Sequence, residues 1–218
     1  MLDGALHVQR PLRIVDCGTG TGRNLDWLGD YGWALGVERS PTGLAAGRAR
    51  GRRVVAGDVT ALPVRSAAFD LATSFDVIYS LDDAAERMAF AEMHRVLVPG
   101  GLVLINAAAL DILRGSHSAL AHEQRRYTTA RLTAKLAAAG FDVLRISYTN
   151  FATLPLTLAV RLGQRALGRG QQAAETEMAV PMEPVNAILA GALAAEAAVL
   201  RWMPLPAGSS VLCVARKR

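Results

Sequence analysis

Between Leu12 and Arg23 the chain reads LRIVDCGTGTGR, an apolar run that meets Asp16 and then a glycine at every second position, Gly18, Gly20 and Gly22. A strand that ends in glycines and feeds a helix presents backbone N–H groups and a positive helix terminus at one sheet edge. Open α/β folds hold nucleotide-like ligands there, so these residues offer binding chemistry for an adenosine-like group. The spacing argues against two other forms. A dinucleotide fingerprint needs a glycine where Arg23 stands, and a phosphate loop needs a closing Gly-Lys-Ser/Thr that the chain lacks.

The remaining pattern, Asp-x-Gly-x-Gly-x-Gly, resembles motif I of the class I S-adenosylmethionine-dependent methyltransferases. In that family the turn faces the methionine part and ribose, and no pyrophosphate has to be cradled. Later strand ends agree in register. Ala34 to Ser40 reads as a second strand carrying Glu38, twenty residues after Gly18, the offset at which an acidic side chain reaches ribose hydroxyls. A carboxylate suits a vicinal diol because it accepts two hydrogen bonds. Arg53 to Val59 reads as a third strand ending in Asp58, and the resemblance implies that Asp58 holds the adenine amino group. Phe69 to Val77 reads as a fourth, with Ser74, Phe75 and Asp76 at the tip that borders cofactor and substrate. Leu102 to Asn106 is the fifth, after the HRVLVPGG turn typical of these enzymes. The resemblance therefore implies S-adenosylmethionine as cofactor, held by Asp16, Cys17, Gly18, Thr19, Gly20, Glu38, Arg39, Asp58, Val59, Ser74 and Phe75.

Methyl transfer from a sulfonium is an in-line displacement governed by positioning and exclusion of water, so few side chains are obligatory. For a hydroxyl acceptor a general base helps, and histidine titrates in the right range. The stretch GSHSALAHEQRRYTT, Gly115 to Thr129, contains a His-x-x-x-Arg-Tyr element resembling one found in a bacterial subset of the family. His122 beside Glu123 is the candidate base, with Tyr127 orienting the acceptor. The alternative is that Arg126 and Tyr127 brace the loop while Thr128 or Thr129 caps the next helix. The fourth strand lacks the Asn/Asp-Pro-Pro-aromatic tetrad of base amino methyltransferases, and neither Cys17 nor Cys213 follows a proline as a cytosine C5 enzyme requires. The expected acceptor is a small, partly apolar molecule, by O-methylation, and no metal site is expected. A fold-retaining relative without turnover and an RNA-directed enzyme are the competing readings.

The elements that position these residues alternate strand and helix, as in an α/β fold with a doubly wound, Rossmann-like, mostly parallel sheet. Helices are expected over Asn24 to Gly29, Thr42 to Arg50, Ala84 to Leu97 and Thr129 to Ala139. The third should bury Met88, Ala91, Val96 and Leu97. By resemblance the last strand, Ser210 to Ala215, is antiparallel and slots in before its predecessor, Asp142 to Tyr148. Between them, 150–208 is an insertion with helices over Leu156 to Leu167 and Val185 to Trp202, expected as a lid or as a face for a homodimer. At 218 residues, 51% hydrophobic, the chain reads as one methyltransferase domain, 1–218. Its net charge of +5 comes from scattered arginines, so nucleic acid is not the expected partner. The most apolar stretch is interrupted by Glu196, no span or signal peptide is expected, and the cysteines form no framework; a reducing cytoplasm is the expected location. Only Met1 to Pro11 precede the first strand, so the expectation is a more open cleft, one closed by another subunit, or a truncated start.

Overall fold

The computed structural model describes residues 11–113, 123–166 and 183–218. One sheet is formed by β1 (Leu12–Cys17), β2 (Gly32–Glu38), β3 (Val54–Ala56), β4 (Phe69–Phe75), β5 (Leu97–Ala108), β6 (Phe141–Thr149) and β7 (Ser210–Lys217), in the order β3-β2-β1-β4-β5-β7-β6. The pairings from β1 to β5 are parallel, and β7 runs antiparallel to both β5 and β6. This is the doubly wound sheet with an antiparallel closing strand that the sequence led us to expect. Among the described residues the helices are α1 (Asn24–Leu28), α2 (Pro41–Ala49), α3 (Asp83–Val96), α4 (Thr129–Ala138), α5 (Leu154–Ala166) and α6 (Glu183–Val199).

Side-chain alternation along the strands divides the core in two. Leu12 and Ile14 of β1 pack with Leu25 and Leu28 of α1 and Leu44 of α2. Val15 and Cys17 belong to the larger cluster with Phe90 and Met93 of α3 and Leu132 and Leu136 of α4. The helix starts are set by side-chain caps: Ser40 accepts from Gly43 N before α2, Asp82 from Ala84 N and Ala85 N before α3, and Thr128 from Arg131 N before α4.

Two local expectations need correction. Val96 and Leu97 are buried as expected, but Met88 and Ala91 of α3 are exposed, and the helix buries Ala89, Phe90 and Met93 in their place. Phe90 carries more apolar area than any alternative on this helix, so its face turns inward. Strand β5 begins at Leu97 rather than Leu102. Its partners on β4 shift from Phe69↔Leu97 to Leu71↔Leu102, and Pro99-Gly100-Gly101 bulges between, with Gly100 at φ 74°.

The insertion leaves the sheet at Asn150, itself in the left-handed region at φ 62°. The buried Glu196 of α6 accepts from Asn150 N and, at 3.0 Å, from Ala152 N. One carboxylate thus ties α6 to the chain that leads into α5. Helix α5 lies against the Asp111–Leu113 turn beyond β5.

Candidate cofactor cleft

The turn after β1 is held from beneath. Asp16 is 1% exposed, and its oxygens accept from Thr19 Oγ1 at 2.7 Å and from Thr73 Oγ1 of β4 at 2.6 Å. Burial pushes its carboxyl up, against those two hydroxyl donors, and nearby Glu38 adds to the rise. Gly18 N and Thr19 N donate to Val37 O at 2.8 and 3.0 Å, so the turn is also laced to β2. Gly18 and Gly20 sit at φ 79° and 57°, which explains glycine at both. A Cβ on Gly18 would lie 2.5 Å from Val77 Cγ2, whereas one on Gly20 would meet no protein atom within 4 Å.

Beside this turn lies a cavity of about 260 Å³ lined by Gly18, Val37, Glu38, Arg39, Gly57, Asp58, Val59, Asp76, Val77, Ser80 and Leu81. Glu38 closes one side, its oxygens accepting from Gly20 N at 2.8 Å and Ser40 N at 2.7 Å. Each oxygen keeps a second lone pair, so a carboxylate held by two amides can still accept from a diol. Asp58 lies past the end of the short β3, accepting from Thr60 N at 2.8 Å and Thr60 Oγ1 at 2.7 Å. Those hydrogen bonds hold its carboxyl below the usual range, with Arg39 assisting and partial burial opposing. The carboxylate is therefore ionised when it faces a donor such as an amino group.

The structure brings Gly18, Glu38, Arg39, Asp58 and Val59 together around this cavity. It places Asp16, Cys17 and Thr19 behind the turn, where they shape the backbone; the Cys17 thiol is fully buried and its titration driven up by that burial. Gly20 reaches the cleft edge through its N–H on Glu38. Ser74 and Phe75 do not line the cavity. Both are still paired to Ile105 and Asn106 within the sheet, Ser74 is fully buried, and the Phe75 ring packs edge-on to Trp27 at 5.8 Å. The lining begins one residue later. Asp76 has φ 59°, a left-handed conformation that turns the chain into the cleft. Gly57, Ser80 and Leu81 were not foreseen; they follow strand ends by a few residues, where loop path rather than pattern decides which side chain faces inward.

Of the candidate catalytic residues, His122 lies outside the described residues. Its neighbour Glu123 pairs with Arg126 Nε at 2.9 Å, and Arg126 also donates to Ala109 O at 3.1 Å. Tyr127 is fully buried, and its hydroxyl donates to Glu86 of α3 and to Ile78 O. A hydroxyl committed to a buried carboxylate cannot orient an acceptor, so Tyr127 is corrected from a catalytic to a bracing position. Lys135 of α4 and Arg125 also pair with the buried Glu86. This network, together with Tyr127 N on Ala108 O at 2.9 Å, fixes 123–127 against the ends of β4 and β5.

Residues 15–105 match the family model described as a methyltransferase domain. The Bos taurus protein named Probable tRNA methyltransferase 9B is 34% identical over 108 residues, 49% of this chain and 24% of that protein. The demethylmenaquinone methyltransferase of Mycolicibacterium vanbaalenii is 34% identical over 103 residues, 46% of this chain and 44% of that enzyme. The chain thus spans less than half the length of these curated relatives. The S-adenosylmethionine-dependent methyltransferase of Mesorhizobium loti superposes with TM-score 0.60 at 19% identity, over 99% of this chain and 95% of that one, which shows a shared fold. The matched segment is thus similar to a methyltransferase domain, and the sheet has the fold of S-adenosylmethionine-dependent methyltransferases of known structure.

Proposed function

We propose that this chain transfers a methyl group from S-adenosylmethionine to a hydroxyl of a small-molecule acceptor. The observation that supports it most is the convergence, around one cavity, of a glycine turn, the amide-held carboxylate of Glu38 and the ionised Asp58. These residues fit the group. Glu38 would hold the ribose diol, Asp58 the adenine amino group, and Val37, Val59, Val77 and Leu81 the apolar faces of the base, while the space beyond Gly20 admits ligand where any side chain would intrude. When bound, S-adenosylmethionine supplies a methyl group already activated by its sulfonium charge, with a leaving group that needs no proton.

The acceptor end lies where Asp76, Asn106 and Tyr79 meet 123–126. Asn106 Nδ2 donates to Asp76 Oδ1 at 3.2 Å, and Gln124 N to Tyr79 O at 2.8 Å. Burial, with Asp76 and Glu123 nearby, pushes the Tyr79 phenol up to about 12, so it remains a donor at neutral pH. A donor beside carboxylates can orient an acceptor hydroxyl, and His122 remains the proposed base. The insertion, 150–208, whose helix α5 abuts the turn beyond β5, is the proposed lid. Incubating the protein with methyl-labelled S-adenosylmethionine and separated small-molecule and RNA fractions of a cell extract tests the reading. Label should enter the small-molecule fraction, and the RNA-directed alternative, suggested by the name of the Bos taurus relative, would be favoured by label confined to RNA.

A further inference from the structure

Among the described residues, the charge inside the cleft is unbalanced: Glu38, Asp58 and Asp76 line it against the single cation Arg39, so with these four ionised they carry a net charge of −2. Glu38 and Asp58 have structural partners that account for their places: two backbone amides for the first, and the Thr60 amide and hydroxyl for the second. Asp76 is different. It takes a left-handed backbone, uncommon outside glycine, at the junction of turn and cavity, and its neighbour Val77 packs where a Cβ on Gly18 would be. Its amide donates to Asn106 O at 2.9 Å, and one carboxylate oxygen accepts from Asn106 Nδ2.

We propose that Asp76 is the charge-selecting residue of the cleft, its carboxylate favouring a cationic sulfonium ligand over the neutral thioether left after transfer. The proposal rests on the cofactor reading above. S-adenosylmethionine and S-adenosylhomocysteine share the adenosine, the amino acid and nearly all contact area, and differ by one methyl group and one positive charge. Glu38 and Asp58 are assigned to the ribose and the base, parts the two ligands share, which leaves Asp76, beside the Gly18 turn, as the lining carboxylate that can act on that difference. Its consequence is that product leaves more readily than reactant.

The groups around Asp76 set the pH range. Desolvation by the surrounding protein raises its carboxyl most, the Asn106 hydrogen bond lowers it, and nearby Glu123 adds to the rise. Arg126 offsets Glu123 through their ion pair, and the Tyr79 phenol stays neutral through the relevant range. Selectivity should therefore be present at neutral pH and fade as pH falls through the raised Asp76 titration.

Calorimetry of both ligands with wild type, Asp76→Asn and the exposed control Asp30→Asn tests this. Asparagine tolerates a left-handed backbone and can still accept from Asn106, so Asp76→Asn should remain folded. The expected result is a loss of S-adenosylmethionine affinity on the order of tenfold in Asp76→Asn with little change for S-adenosylhomocysteine. The control should match wild type, and acidification should shrink the wild-type preference but not that of Asp76→Asn. Equal effects on both ligands, or a pH-independent preference in wild type, would overturn the role of Asp76 while leaving the cofactor reading standing. Failure of wild type to bind either ligand would overturn the cofactor reading itself, and this proposal with it.

Discussion

At the scale of single residues the cleft divides into groups that face the cavity and groups that hold them. Glu38 does both, because its two oxygens each accept a backbone N–H while facing the cavity. Replacing Glu38 with Gln leaves one acceptor for two amides and turns an NH₂ toward one of them. Affinity for S-adenosylmethionine should fall by about 1–3 kcal/mol, with a smaller loss of stability, by calorimetry and thermal melting. The glycines differ in a way that spacing alone does not show. Gly18→Ala drives a Cβ into Val77, at a cost of about 1–3 kcal/mol, and adding Val77→Ala should recover part of it. Gly20→Ala meets no protein atom, so its thermal midpoint should drop less while its cofactor affinity drops at least as much. The glycine positions were legible because a turn of this kind needs positive φ. Which neighbour each one presses on was not, since Val77 is close to Gly18 only once β1 and β4 pair.

Among the elements, strand ends were readable because a short apolar run that stops at an acidic residue marks where the sheet meets solvent. Ser74 and Phe75 show the limit of that reading. The strand stays paired through Phe75, and a single left-handed residue, Asp76, decides where lining begins. The segment 123–127 was legible as special but not as to role. Its tyrosine reads equally as a ligand contact or a brace until the buried Glu86 is found on a helix some forty residues earlier. Tyr127→Phe should lower stability by about 1–3 kcal/mol by removing a donor from a buried carboxylate, and leave S-adenosylmethionine affinity unchanged. A variant of unaltered melting temperature with weakened ligand binding would return Tyr127 to the functional site.

For the molecule as a whole, the balance of carboxylates sets how stability responds to acid. Glu92 of α3 accepts from Arg95 Nε at 2.6 Å, from Arg95 NH2 at 2.8 Å and from Leu62 N at 2.6 Å, while Arg95 donates to Leu62 O and Val64 O. This pair straps the segment after Asp58 onto the core. Arg95 holds the Glu92 carboxyl below its ordinary range, with partial burial opposing. A folded value below the unfolded one means that the contribution is complete above the ordinary glutamate value of ~4.3 and is lost as pH falls through the lower folded value. Asp16 and Asp76 are raised and act in the opposite sense. Their ionised forms oppose folding, a cost that sets in as pH rises past the unfolded value and is complete above the folded one. Acid should thus remove the Glu92 strap while relieving strain beneath the glycine turn, so the domain loses less stability than the paired carboxylates alone would imply. Glu92→Gln isolates the strap. It should cost about 1–3 kcal/mol at pH 7 in urea unfolding, and the gap to wild type should narrow at pH 3 because wild-type Glu92 then approaches the same neutral state. A gap of equal size at both pH values would show that shape and packing at position 92, rather than the charge, hold Leu62 and Val64 in place.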